Sequence, residues 1–134
     1  MACSSSPTPL PSPSPSPSPT ARPTTRTVLA TLSFTLPPGS ATFNSLDGIG
    51  PGTVDAQVDW GSAANDINLY ATDLACPGFV ELRAGQCRVL AQAVTSAKPE
   101  RLTFVHAALG DFRIWVHNAS ANTETVQVEI GVTR

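Results

Sequence analysis

Nowhere in these 134 residues does an apolar pattern of helical period run for ten positions, so no substantial helix is expected. No uncharged apolar window approaches ~18 residues, so no segment is a candidate for crossing a bilayer as a helix. Charged residues make up only 13% of the chain, and they lean acidic. Residues 27–134 carry six Lys/Arg against ten Asp/Glu, a balance of −4. A domain of that sign is a poor partner for nucleic acid or an anionic membrane. There are two histidines, His106 and His117, and neither stands beside a nucleophile motif such as G-x-S-x-G. Asp66 and Glu81 are carboxylates that nothing in the sequence places together. No reaction class follows, and the chain reads as a non-enzyme. The three cysteines include no C-x-x-C pair, and the histidines fall on separate strands, which argues against zinc.

Proline is abundant but unevenly placed: most of the 13 lie before Thr24. Residues 1–26 are low in complexity, with SSSPTPLPSPSPSPSPTARPTT following Met-Ala-Cys. Alternating Ser-Pro cannot form helix, because proline lacks an amide hydrogen and restricts the residue before it. With almost no apolar side chains it cannot pack a core. The expectation is a disordered tail biased to polyproline II, reaching on the order of 70 Å at ~3.1 Å per residue. Such a tail is a stalk, or a ligand for a proline-binding domain. Ala2-Cys3 resembles the last two positions of a bacterial lipobox, which implies lipidation at Cys3 and a cell-surface location. The charged start and apolar run of a signal peptide do not precede it. A removed leader, a misplaced start codon and an incidental thiol are the readings of that absence.

From Thr27 the pattern changes to period two, the mark of half-buried strands. The stretch Thr53–Asp73 organises the rest. Val54, Ala56, Val58 and Trp60 share one parity and Asp55, Gln57 and Asp59 the other. Gly61–Asn65 turns the chain, and Ile67, Leu69 and Ala71 then face inward, with Asp66, Asn68 and Tyr70 outward. Upstream, Thr27–Leu36 places Val28, Ala30, Leu32, Phe34 and Leu36 on one face. Ala41–Leu46 reads as a short strand, and Asp47–Gly52 as a loop. Downstream come Phe79–Arg83 as a short strand or ribbon, Cys87–Val94, and Arg101–Val105. Phe112–Val116 follows with Phe112, Ile114 and Val116 inward and Arg113, Trp115 and His117 outward; the last strand buries Val126, Val128, Ile130 and Val132. Seven to nine short strands at this spacing imply an all-β, antiparallel β-sandwich, jelly-roll-like, over residues 27–134. About 108 residues bury roughly 60–70% of their unfolded surface, enough to fold alone.

Two segments carry a family resemblance. NDINLYATD resembles the DLDLYL-type strand of bacterial pre-peptidase C-terminal domains, and RLTFVHAALGDFRIWVHN resembles their second signature, with VQVEIGV closing in the same pattern. That family comprises β-sandwiches appended to secreted proteases and other extracellular enzymes. The resemblance implies a secreted, non-catalytic module that binds a glycan or an extracellular protein, or a structural or maturation domain that accompanies a hydrolase and has no ligand of its own. Asn68 stands where the family's second Asp would be, which weakens a calcium inference.

Four groups of residues are candidate sites. Cys76 and Cys87 bracket a ten-residue loop, and in an exported protein they are expected to form a disulfide. Asp59, Asp66, Asn68 and Asp73 supply oxygen ligands near one turn, a candidate calcium set, although outward acids on strands are usually just solvated. Tyr70, Arg113, Trp115 and His117 share outward parity. If their strands pair, they form an aromatic and polar face suited to a glycan or a peptide. Isolated outward aromatics are common on strands, so a solvated face is the alternative. Asn118-Ala119-Ser120 matches a glycosylation sequon, which in a bacterial lipoprotein is a chance match. No cofactor beyond calcium is implied, and the chain is expected to be a monomer.

Overall fold

The computed structural model of the chain describes residues 2–22 and 24–134. Its strands are β1 (Arg26–Leu36), β2 (Ala41–Ile49), β3 (Gly52–Trp60), β4 (Ile67–Thr72), β5 (Val89–Ala93), β6 (Glu100–His106), β7 (Gly110–Asn118) and β8 (Glu124–Thr133), with one helical turn, α1 (Phe79–Arg83). They build two antiparallel sheets, ordered β1-β8-β3-β6 and β2-β7-β4-β5, stacked as the β-sandwich that the strand spacing implied. Residues 2–22 carry no helix or strand and are exposed.

The alternation read from the sequence supplies the core. From the first sheet, β3 contributes Val54, Ala56, Val58 and Trp60, and β8 contributes Val126, Val128, Ile130 and Val132. The second sheet answers with Ile67, Leu69 and Ala71 of β4 and Phe112, Ile114 and Val116 of β7. β3 and β4 are not sheet neighbours; they lie in opposite sheets. The 61–66 connection therefore crosses the sandwich, and Glu124 holds it. Its carboxylate accepts from Asn65 Nδ2 at 2.6 Å, Gly61 N at 3.2 Å and Ser62 N at 3.4 Å. The Asn65 bond, with smaller help from these backbone amides, keeps the Glu124 carboxyl below its usual range.

Four expectations are corrected. Arg26, read as part of the tail, is the first residue of β1, and its guanidinium reaches Asp55 and Glu129 at 2.7 Å each. It lies across Gly131, where any Cβ would stand 2.6 Å from it. Counting from Arg26, the folded part has seven Lys/Arg against ten Asp/Glu, or −3. Val28 is half exposed rather than inward, because a register shift between Val28 and Ala30 flips parity; Leu29 packs on the core instead. β2 runs on to Ile49 through the expected loop, with Gly48 at φ 63°. Finally, Phe79–Arg83 is helical. Gly78 starts the turn in extended conformation, and Gly85 at φ 75° stops it, as a left-handed C-terminal residue does. One turn is too short for a 3.6-residue period to register in sequence.

Limited proteolysis is expected to cut within residues 4–22 and to leave a resistant product beginning near Thr25, whose amide and carbonyl bond to Arg134. Hydrogen-exchange protection across residues 4–22 would contradict this.

Candidate functional site

The outer face of the second sheet holds the residues singled out for binding, and the pairing expected of their strands is present. β4 and β7 are neighbours, with Asn68 opposite His117, Tyr70 opposite Trp115 and Thr72 opposite Arg113. On the far side, β2 sets Ala41, Phe43 and Ser45 opposite His117, Trp115 and Arg113.

This face is roofed, which corrects the expectation of an open surface. The segment 73–88 folds back over it and carries α1. Cys76 and Leu82 from the segment bury against Trp115, with Tyr70, Phe79 and Cys87 packed around them. The Phe79 ring sits 4.5 Å from His117, 6.0 Å from Tyr70 and 6.3 Å from Trp115. Trp115 is left 2% exposed, and its indole N–H donates to Thr72 Oγ1 at 2.8 Å. Burial pushes the half-buried Tyr70 hydroxyl up. Arg113 is half-buried, lies 4.5 Å over the Phe43 ring, and donates through Nη1 to the Cys76 carbonyl at 2.7 Å. Parity identified the side of the sheet correctly; it carries no information about a segment arriving from elsewhere in the chain.

Cys76 and Cys87 are bonded, with Cα atoms 5.0 Å apart, as expected. Both belong to the roof, so the bond braces it and does not fasten it to the sheet. Cys3 is free and exposed.

The four candidate calcium ligands do not converge. Asp59 is on β3 of the other sheet, paired to Lys98 at 2.8 Å; that bond leads the effects that hold its carboxyl below the usual range. Asp73 Oδ1 accepts from the Ala75 amide. Asp66 and Asp73 stand at opposite ends of β4, about 23 Å apart at ~3.3 Å per residue. Among the described residues no three His, Cys, Asp or Glu side chains gather as a metal group.

Asn68 stands opposite His117, and the charge of Asp66 reaches the imidazole without pairing with it. The three lie on the outer face beside the roof, and Asp66 Oδ1, Asn68 Oδ1 and both His117 ring nitrogens are buried without an ordinary hydrogen bond. Burial first, then the charge of Arg83 at the end of α1, pushes His117 below its usual range. Asp66 and the Gly39 backbone pull weakly the other way. Their shared parity was legible in the sequence; their lack of partners was not. His106 is tied elsewhere, with Nε2 bonded to the Ile49 carbonyl at 3.0 Å.

Sequence reasoning missed one surface. A groove of about 550 Å³ runs beside β5 and the β6–β7 turn, lined by Arg88, Val89, Val105, His106, Leu109 and Asp73 among others. Val105 is 76% and Leu109 73% exposed, and Val89 is exposed as well. Arg88 makes no ion pair among the described residues. Val105 and Leu109 are close in the chain, but Val89 comes from β5 of the sheet opposite β6, so only the fold brings the three together.

No protein-family model and no curated protein matches the chain. Among solved structures, it is similar to the pre-peptidase C-terminal domain of collagenase from Bacillus anthracis. The identity is 11%, 75% of this chain and 87% of that one are covered, and the TM-score is 0.56. It is also similar to PliG of Aeromonas hydrophila, a periplasmic lysozyme inhibitor of g-type lysozyme, at 14% identity over 78% of this chain and 85% of that one, with a TM-score of 0.54. At these identities the likeness is one of fold: the sandwich is pre-peptidase C-terminal-like, as the strand motifs implied.

Proposed function

We propose that the chain is a non-catalytic β-sandwich module that works outside the cytoplasm, carried on its Ser/Pro stalk from a lipid at Cys3, and that it binds a protein through the groove beside β5. The observation that carries this is the convergence of Val89, Val105 and Leu109 on one groove. Exposed apolar patches of that kind mark interaction sites more than chance does. The disulfide favours an oxidising compartment, and PliG, which shares the fold, is a periplasmic protein. The PliG likeness supports a protein partner over a glycan, since the open aromatic platform that a glycan would need is covered. With its apolar wall and unpaired Arg88, the groove suits a protein loop that places an apolar side chain beside a carboxylate.

The collagenase-domain likeness favours a second reading, a structural companion of a secreted hydrolase. Titration of isotope-labelled protein separates the two, using a g-type lysozyme, collagen peptides and chitin oligosaccharides as probes. A protein probe is expected to shift the Val89, Val105 and Leu109 resonances. Leu109→Asp then weakens binding by about tenfold or more, the scale of a lost apolar anchor, with Tm unchanged. Shifts from sugars alone, or far from the groove, count against the assignment. Silence toward every probe favours the companion reading.

A further inference from the structure

The roof over the second sheet is attached in an unusual way. Its disulfide joins Cys76 to Cys87, so both ends of the loop are tied to each other and neither is tied to the sheet. Two side-chain hydrogen bonds run from the sheet to it among the described residues, Arg113 Nη1 to the Cys76 carbonyl and, at its first residue, Thr72 Oγ1 to the Asp73 carbonyl. What otherwise holds it down is the small cluster of Cys76, Leu82 and Trp115 with Phe79, separate from the main core. Closure also has a cost. His117 and Asn68 are 7% and 8% exposed, and with Asp66 they leave four polar atoms unpaired. Buried polar groups are normally satisfied, and an unpaired one disfavours the state that buries it. Asp66 and His117 form no ion pair, and no three His, Cys, Asp or Glu side chains gather among the described residues.

We propose that segment 73–88 is a lid that opens as one braced body, well below global unfolding, and that protonation of His117 releases it. The imidazole lies under Phe79 at 4.5 Å. The charged groups acting on it are Arg83 from α1 and Asp66 at the head of β4, with Tyr70 next along β4; β2 contributes uncharged Ala41 opposite it. Burial and Arg83 disfavour the imidazolium in the closed state, and Asp66 only partly offsets them. The sign follows. The closed state holds His117 below the ordinary imidazole value of about 6.5, and the open state restores it. Opening therefore takes up a proton, and closure is fully favoured above 6.5 and weakens as pH falls from there toward the depressed closed-state value. Opening uncovers Tyr70, Trp115, His117, Asn68 and Asp66 together. It also moves Asp73 and Arg88, which stand at the ends of the lid and line the groove, whatever occupies that groove.

The two tryptophans make the test internal to one molecule. Trp115 donates its indole proton to Thr72 beneath the lid. Trp60 donates to the Ser62 and Asn65 carbonyls at the sandwich end. Hydrogen exchange of the two indole protons, followed by NMR on the full chain, is expected to show Trp115 exchanging faster. The ratio of the Trp115 rate to the intrinsic indole rate at the same pH should rise several-fold between about pH 7.5 and about pH 5, as His117 takes up its proton. His117→Gln should abolish the pH dependence of that ratio. Arg83→Gln, an exposed change that leaves the packing intact, should reduce it. A ratio that stays constant with pH, or two protons exchanging together only on global unfolding, overturns the proposal. So does an unchanged pH response in both variants.

Discussion

Trp60→Ala is expected to lower stability by about 3–5 kcal/mol, the range for removing a large buried aromatic. The ring sits at the end of β3, 5% exposed, with Val126 of β8 opposite it. Its indole N–H donates to Ser62 O at 2.8 Å and Asn65 O at 3.1 Å. Truncation thus opens a void and also removes both indole bonds to the sandwich-crossing connection, leaving Ser62 O with only the Asn65 amide. Against a typical total of about 5–15 kcal/mol, that loss brings the protein close to its unfolding threshold. Urea denaturation should show a lower midpoint with an unchanged slope. A change under about 1 kcal/mol would mean that the ring is not a core element.

Trp115 is the informative comparator. From its parity alone it reads as outward and cheap to remove; under the roof it is as buried as Trp60. Trp115→Ala should therefore also destabilise, but through the satellite cluster. Its signature is loss of exchange protection in residues 76–87 before the main core is affected.

The contrast between the two rings shows what was legible in the chain and what was not. Period-two alternation reports which side of a sheet a residue takes, so the inward sets of β3, β4, β7 and β8 were readable. It does not report which sheet a strand joins; β3 and β4, separated by one short turn, lie in opposite sheets and face each other across the core. It fails at a register shift, as at Val28, and it cannot see a cover of nonlocal origin, as over Trp115. The pairing of Tyr70 with Trp115 was inferable from the family-like order of strands, whereas the convergence of Val89, Val105 and Leu109 depends on two sheet edges meeting. The motif that promised least, the Asn-Ala-Ser sequon, holds the clearest structural role.

Asn118→Ala is the second large effect, expected at about 3 kcal/mol or more, since several bonds of about 1 kcal/mol are lost at once and their partners stay buried. Asn118 ends β7 with no exposed surface. Its Nδ2 reaches the Leu36 carbonyl at 2.9 Å, the Asn122 carbonyl at 2.7 Å and, at longer range, the Pro37 carbonyl at 3.3 Å. Its Oδ1 accepts from the Ser120 amide at 3.0 Å and from the Ser120 hydroxyl. The backbone repeats the pattern, with Gly39 N donating to Asn118 O and Asn118 N to Ser40 O, each at 2.9 Å. One side chain therefore locks the β1–β2 turn to the β7–β8 loop, across both sheets. The same burial excludes the amide from glycan attachment in the folded state. Asn118→Asp separates the roles of the two ends. It keeps the acceptor but removes the donors, and it sets a carboxylate among the Leu36, Pro37 and Asn122 carbonyl oxygens. At neutral pH it should cost more than Asn118→Ala. Surrounding oxygens raise the folded-state pKa of such a carboxyl above the unfolded value. The penalty is then largest above the folded pKa and shrinks as pH falls toward the unfolded value. Thermal unfolding of both variants from about pH 7 to about pH 4 reads this directly. If Asn118→Asp proves no worse than Asn118→Ala at neutral pH, the donor bonds to Leu36 and Asn122 are not what holds this end of the sandwich together.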